Sequence, residues 1–280
     1  MQVLLAEKRG FCYGVTTAIC EAEKAVERFG RGNVYALGPI IHNKQVCRKL
    51  EEAGLKVVET LDQVPPGGVA LIRSHGVAPE VMDALRTRGI ETVDATCRLV
   101  KRAQQVVRQL HEEGYQVVMI GDKDHPEVEG VVAYAPGVII VDSEDEIDRL
   151  LPPHGKIGIV AQTTHAPDKV GRLIGHIAGK PFLEIKIVST LCSETGRRQQ
   201  AAIDLCAKVD VMFVLGGLHS ANTRQLADLC RRNGMPTHHL ENWDQFEPSM
   251  IAGRTIAGVT AGASTPEWLV QEFVEKLQAF

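Results

Sequence analysis

Short runs of Val, Ile and Leu recur along the chain, separated by longer stretches in which apolar residues return every three or four positions. The runs at 34–37, 69–72, 92–94, 117–120, 138–141, 157–160, 185–188, 211–215 and 255–259 predict strands. They read as apolar on both sides, as strands buried within parallel sheets are. The periodic stretches at 14–29, 98–113, 167–177, 195–208, 222–233 and 266–277 predict helices. Gly30, Gly54, Gly89, Gly114 and Gly234 stand where such helices would stop. Strands alternating with helices predict an α/β fold with parallel sheets. Residues 65–68 and Pro152-Pro153 read as tight loops, and no long linker interrupts the pattern.

A threefold repeat organises these elements. Cys12, Cys97 and Cys192 each stand between a strand end and a helix start, at nearly equal separations along the chain. After each cysteine, the next strand ends in a polar loop with a histidine: His42, His125 and His219. A later strand ends in a third polar loop, carrying His75, Thr163 with Thr164, and Ser264 respectively. The predicted organisation is three similar α/β lobes, 1–96, 97–191 and 192–265, with a C-terminal helix and tail at 266–280. Open α/β sheets bind ligands at the carboxyl ends of their strands. Three lobes with those ends facing one another would gather the cysteines and loop side chains around one cavity.

Composition narrows the function. The formal net charge is −4 and charged residues make up 24% of the chain. That balance lacks the basic face of a nucleic-acid protein. No apolar run reaches the roughly 18 residues of a membrane span, and the N-terminus lacks a signal-peptide layout. The expectation is a cytoplasmic protein. Seven cysteines, an odd number, argue against a disulfide framework.

Cys12, Cys97 and Cys192 lie too far apart for a structural zinc site built from close pairs, and no ferredoxin-like run is present. One cysteine per lobe suits a polymetallic cluster. A 4Fe–4S cluster held by three cysteines would leave one iron open for chemistry. Cys20, Cys47, Cys206 and Cys230 read as core residues. His111, His154, His176, His238 and His239 read as solvated, and His165, beside the Thr pair, fits either group. His42, His75, Ser220, Asn222 and Ser264 supply donors near helix starts, where anions are favoured. No Walker loop and no Gly-x-Gly-x-x-Gly occurs, so a small phosphate or diphosphate ester fits better than ATP or NAD. Glu127 reads equally as a buried acid or as a helix-start residue favoured by the dipole.

The segments GFCYGV, LGPIIHN, RSHGV, DATC, HPEVEG, AQTT, HSANTRQL and TAGASTP occur in that order from the region of Cys12 to Pro266. Together they resemble the 4-hydroxy-3-methylbut-2-enyl diphosphate reductases, the LytB/IspH family. The resemblance implies a pseudo-threefold trefoil of lobes around a central 4Fe–4S cluster. It implies the last step of the non-mevalonate isoprenoid pathway. There an allylic hydroxyl is removed with two electrons and two protons, giving isopentenyl diphosphate, dimethylallyl diphosphate and water. By the same resemblance Cys12, Cys97 and Cys192 are the cluster ligands, and His42, His75, Ser220, Asn222 and Ser264 bind the diphosphate. His125 contacts the substrate or its proton network, Glu127 donates the proton and Thr163 bonds it. Thr164 and Ala221 complete the substrate contacts, and ferredoxin or flavodoxin supplies electrons. The chain departs from the family at Thr16-Thr17, at Arg98, where Pro is usual, at Ser193-Glu194 and at Ala221. Arg98 and Glu194 put opposite charges beside two ligands, which would offset in setting the cluster potential. A non-catalytic iron–sulfur sensor or carrier, or a zinc-dependent hydrolase, are the alternatives.

Overall fold

The computed structural model describes residues 1–152 and 155–280; the expectations for Pro153 and His154 lie outside it. Strands β1 (Gln2–Leu5), β2 (Val34–Leu37), β3 (Leu55–Val58), β4 (Val69–Ile72), β5 (Glu91–Asp94) and β6 (Gln116–Ile120) come in the first half. They are followed by β7 (Ile139–Val141), β8 (Lys156–Ala161), β9 (Glu184–Ile187), β10 (Val211–Leu215), β11 (Thr237–Leu240) and β12 (Ile256–Ala261). Helices α1 (Tyr13–Phe29), α2 (Lys44–Ala53), α3 (Pro79–Thr87), α4 (Arg98–Glu112) and α5 (Pro126–Val132) alternate with them. So do α6 (Glu144–Leu150), α7 (Pro167–Ala178), α8 (Ser193–Cys206), α9 (Ala221–Arg232) and α10 (Glu267–Gln278).

The α/β expectation of three parallel-sheet lobes is met. The strands form three four-stranded sheets in the orders β3-β2-β4-β5, β7-β6-β8-β9 and β11-β10-β12-β1, and every pairing is parallel. All three share one topology: the first strand of the lobe lies between the second and third, and the fourth closes the edge. The fourth strand of the third sheet is β1, from the other end of the chain. Gln2 to Leu5 pair in register with Ile256 to Val259. The sequence places β1 at the head of the first lobe, yet it hydrogen-bonds with the third. Nothing local specifies that partner; only the exposed edge of β12 does.

The chain divides into two compact units: one of Met1–Thr16, Ile41–Lys49 and Ser193–Phe280, the other of Thr17–Ile40 and Leu50–Cys192. The first contains the sheet closed by β1. Its core lies on both faces of that sheet. Phe213, Val259, Leu269 and Phe273 fill one face, and Met212, Val214, Leu226 and Cys230 the other. The second unit contains the other two sheets. Around β6 and β8, α4 and α5 cover one side through Val107, Leu110, Val128 and Val131. Helix α7 covers the other through Val170, Leu173 and Ile177.

Not every strand is apolar on both sides. β5, β9 and β1 show the same pattern, with exposed ends and half-buried centres, because each is the fourth, edge strand. The sequence also passes over β3 and β11, of four residues each, one half exposed and one reading Thr-His-His-Leu.

Candidate active site

Each lobe presents its carboxyl-end loops through the same hydrogen bonds. Gly38, Gly121 and Gly216, directly after the first strand of each lobe, donate to Val58, Val141 and Leu240 at the end of the second, at 2.9, 3.0 and 2.9 Å. The three cysteines are held alike. The Cys12, Cys97 and Cys192 amides donate to the carbonyls of Ala263, Ser74 and Thr163, at 3.1, 3.0 and 2.8 Å. Each cysteine is thus pinned to the loop that follows the third strand of its own sheet. Each is half-buried and outside any disulfide, and Cys97 is the N-cap of α4. The Val15 amide donates to Cys12 Sγ at 3.5 Å.

The loop after the first strand ends, in each lobe, on a residue that caps a helix. Asn43 Oδ1 accepts from the Val46 amide at 3.1 Å. His125 Nδ1 accepts from Glu127 at 3.1 Å, and Ser220 Oγ from Thr223 at 3.4 Å. The matched positions are therefore Asn43, His125 and Ser220, so the alignment of His125 with His42 and His219 shifts by one residue. His219 is exposed. Because a backbone N–H can only donate, Nδ1 of His125 is an acceptor and its neutral ring carries the proton on Nε2. Two residues beyond the caps stand Gln45, Glu127 and Asn222. The sequence reading missed Gln45, whose half-buried side chain has an Oε1 without a partner; its signal was this position relative to Glu127 and Asn222.

In the first unit, Ser264 Oγ donates to the His42 carbonyl at 3.2 Å. A Cβ on Gly217 would lie 2.7 Å from that carbonyl oxygen, and one on Gly262 only 2.0 Å from Thr223 Oγ1. Glycine at both positions lets the His42 segment, the β10 loop, the β12 loop and α9 close onto one another. Ser220, Asn222 and Ser264 are buried there, and Ala221 is half-buried at the first turn of α9. Asn222 Nδ2 is buried without a partner. Donors that meet no protein acceptor around a helix start suit an anion. Beside Cys12, Lys8 Nζ reaches Glu194 Oε2 at 2.6 Å and holds that carboxyl below its usual range. The Glu194 charge is thus paired with Lys8. Arg198, fully buried, donates to the Ala261 carbonyl at 3.0 Å; no sequence pattern marked it.

In the second unit, the His75 and His125 rings meet edge to face at 5.6 Å. Gly130 in α5 leaves room for the His75 and Gly76 backbone. Glu127 is 3% exposed. Its Oε1 accepts from the Thr163 amide at 2.6 Å and its Oε2 from Thr163 Oγ1 at 2.8 Å. Burial pushes the Glu127 carboxyl up, against those two bonds and the field of His165. Thr164, half-buried, accepts from Gln162 Nε2 at 3.4 Å. The residues expected in this unit thus fall into one run, His75, His125, Glu127 and Thr163, with Cys192 bonded to Thr163.

The remaining cysteines and histidines divide differently from the sequence reading. Cys206 and Cys230 are buried between α8 and α9, whereas Cys20 and Cys47 are half-buried. His165 is buried. His238 and His239, expected to be solvated, lie in β11, where burial pushes both rings down.

Residues 3–278 match the family model described as LytB protein. The 4-hydroxy-3-methylbut-2-enyl diphosphate reductase of Geobacter metallireducens is 45% identical over 279 residues, 99% of this chain and 97% of that protein. The enzyme of the same name from Geobacter sp. strain M21 is 44% identical over 280 residues, 100% of this chain and 98% of that one. A solved structure of (E)-4-hydroxy-3-methyl-but-2-enyl diphosphate reductase, the terminal enzyme of the non-mevalonate pathway, superposes with a TM-score of 0.75 at 38% identity, covering 100% of both chains. The E-1-hydroxy-2-methyl-but-2-enyl-4-diphosphate reductase from Plasmodium falciparum superposes with a TM-score of 0.93 at 29% identity, covering 99% of this chain and 88% of that one.

Proposed function

Because this chain belongs to the LytB protein family, we propose that it reductively removes the allylic hydroxyl of 4-hydroxy-3-methylbut-2-enyl diphosphate with two electrons and two protons, one proton going to the departing oxygen and one to the allyl carbon, forming isopentenyl diphosphate, dimethylallyl diphosphate and water. Cys12, Cys97 and Cys192 would hold a 4Fe–4S cluster; three thiols fixed by one and the same backbone bond fit that group. Bound there, the cluster would pass on electrons from the donor one at a time and would supply a Lewis-acid iron. His42, Ser220, Asn222 and Ser264 bind the diphosphate, with His75, Thr164 and Ala221 alongside. Holding the diphosphate fixes the allyl chain in place and makes the chemical step effectively unimolecular. Glu127 gives its proton to the departing oxygen, so that water leaves rather than hydroxide. Thr163 holds both carboxyl oxygens in position, and His125, whose Nδ1 accepts from the Glu127 amide, has its Nε2–H for the substrate or its proton network. The protein works in the cytoplasm with a one-electron donor such as ferredoxin or flavodoxin. No described helix is long and apolar enough to cross a membrane.

The observation that carries this reading is the line from Glu127 through Thr163 to Cys192. A buried acid is keyed by two bonds to the residue whose carbonyl takes the Cys192 amide. An iron–sulfur sensor or carrier has no use for a buried proton donor there, and a zinc hydrolase has no use for three matched thiols. The test is to purify the protein without oxygen, record its visible spectrum, and assay it with a chemical reductant. A brown protein with about four irons per chain that converts the diphosphate to both products is expected. A colourless protein holding one zinc would sink the proposal.

A further inference from the structure

Two of the sheets lie in the second unit, and their edge strands are finished differently. β5 closes the order β3-β2-β4-β5 with an exposed acid at each end, Glu91 and Asp94. Charges of that kind keep an edge from pairing with another chain. β9 holds the same place in the order β7-β6-β8-β9. It ends on Ile187, which is 52% exposed, and Leu183 directly before it is 78% exposed. Among the described large apolar residues none is more open than Leu183.

The outer side of β9 is a row of backbone groups turned away from its own sheet. The Glu184 and Val188 amides donate inward, to the Gly155 and Ile159 carbonyls, at 3.4 and 3.0 Å. Backbone groups alternate in direction along a strand, so Ile185 and Ile187 aim theirs at the open edge. Side chains alternate between the two faces. Glu184 and Lys186 share one face. Glu184 accepts from the Tyr115 hydroxyl and lies 3.2 Å from Lys156 Nζ, and Lys186 Nζ meets Glu113. Both side chains stay within reach of the edge, at 46% and 39% exposed. On the other face Ile185 packs on the core beneath α7.

Residues 183–187 read Leu-Glu-Ile-Lys-Ile, an order that complements itself when reversed. Set antiparallel against a second copy, with Ile185 opposite Ile185, the two isoleucines exchange backbone hydrogen bonds. Glu184 of each copy then stands opposite Lys186 of the other, in the closer, non-hydrogen-bonded pairing. Ile187 of each comes beside Leu183 of the other. Sliding one copy by two residues sets Lys186 against Lys186 or Glu184 against Glu184, and like charges directly opposite are unfavourable.

We infer that β9 is a docking edge for a second copy of this chain, paired antiparallel about Ile185 so that the two copies share one continuous sheet. A second copy suits this edge because its charges come in the order that a twofold axis requires. One short strand buries little surface, so the dimer is weak and builds up with concentration.

Sedimentation velocity of the holoprotein, purified without oxygen and run from about 1 to 100 µM, reads the association. Wild type should move from monomer toward dimer across that range. Glu184→Lys and Lys186→Glu, each alone, put like charges opposite and should weaken association by about tenfold or more. Mixed in equal amounts, the two variants regain opposite charges at both positions and should associate about as tightly as wild type. Ile187→Lys changes an open side chain with no bond to lose. It should stay monomeric throughout, and it carries the test if a charge variant does not fold, which circular dichroism checks. A wild type that is monomeric at every concentration overturns the proposal. So does a dimer that survives Ile187→Lys, since it uses another face. A mixture of the two folded charge variants that stays monomeric while wild type pairs overturns it as well.

Discussion

At the scale of single residues, the proposed chemistry turns on one buried carboxyl. Glu127 is raised above the usual carboxylate range by desolvation, so it holds its proton at pH values where an exposed Glu has lost it. Glu127→Gln keeps the shape and removes the transferable proton. Substrate binding should stay within about tenfold while turnover falls by about 10² or more, measured with a chemical reductant. Thr163→Val should cost less, because the Thr163 amide still holds Oε1. The same shift has a stability consequence. In the unfolded chain Glu127 ionises at its ordinary pKa, so the folded state loses stability as pH rises from there to the raised value. Glu127→Gln lacks that loss. Its melting temperature should match wild type in acid and exceed it above neutrality, and a lower melting temperature at alkaline pH would count against a buried neutral acid. Among the thiols, Cys192→Ser should empty the cluster site. Cys230→Ser should keep full iron and cost only about 1–3 kcal/mol in denaturant unfolding, for a buried hydroxyl.

At the scale of elements, the helix starts join stability to the proposed binding. Asn43, His125 and Ser220 cap α2, α5 and α9 and set the direction of the residues after them. Ser220→Ala should lower stability by about 1 kcal/mol. It should also weaken binding of substrate and of plain diphosphate together, since both ask for the same helix start. Asn43→Ala should show a similar loss of stability; calorimetry with diphosphate measures both effects. Close packing of loops sets a second limit. Gly262→Ala would drive a Cβ into Thr223 Oγ1, so a destabilisation of about 1–3 kcal/mol with weakened diphosphate binding is expected. Normal binding in that variant would mean that the β12 loop and α9 need not touch to form the anion site.

At the scale of the whole molecule, three sheets share one topology, and the third is closed by a strand from the opposite end of the chain. β1 shields the edge of β12, whose residues from Ala257 to Ala261 are all buried. Deleting Met1 to Leu5 would expose an apolar edge, the kind of surface that invites pairing with other chains. The truncated protein should melt at lower temperature and aggregate on concentration, read by scattering during a thermal scan. Unchanged melting would show that α10 and the β10–β12 pairing suffice.

Periodicity alone determined the α/β class, because parallel strands packed between helices must be short and apolar and the helices between them amphipathic. Spacing alone revealed the threefold repeat, because each lobe spends a similar length of chain on its strand–helix units. The positions of the three cysteines and of Thr163 were legible for the same reason: each stands in the polar loop after a strand, where a break in the apolar pattern shows. Other features were decided only by tertiary structure. β1 joins β12 because an unpaired edge needs a partner, and no local signal says which edge. Lys8 answers Glu194, and Asp142 orients His165, because charges far apart in sequence meet once the loops close. Whether Glu127 is an acid or a solvated helix start depends on what buries it. The dipole argument is the same in both cases, and only packing removes the water.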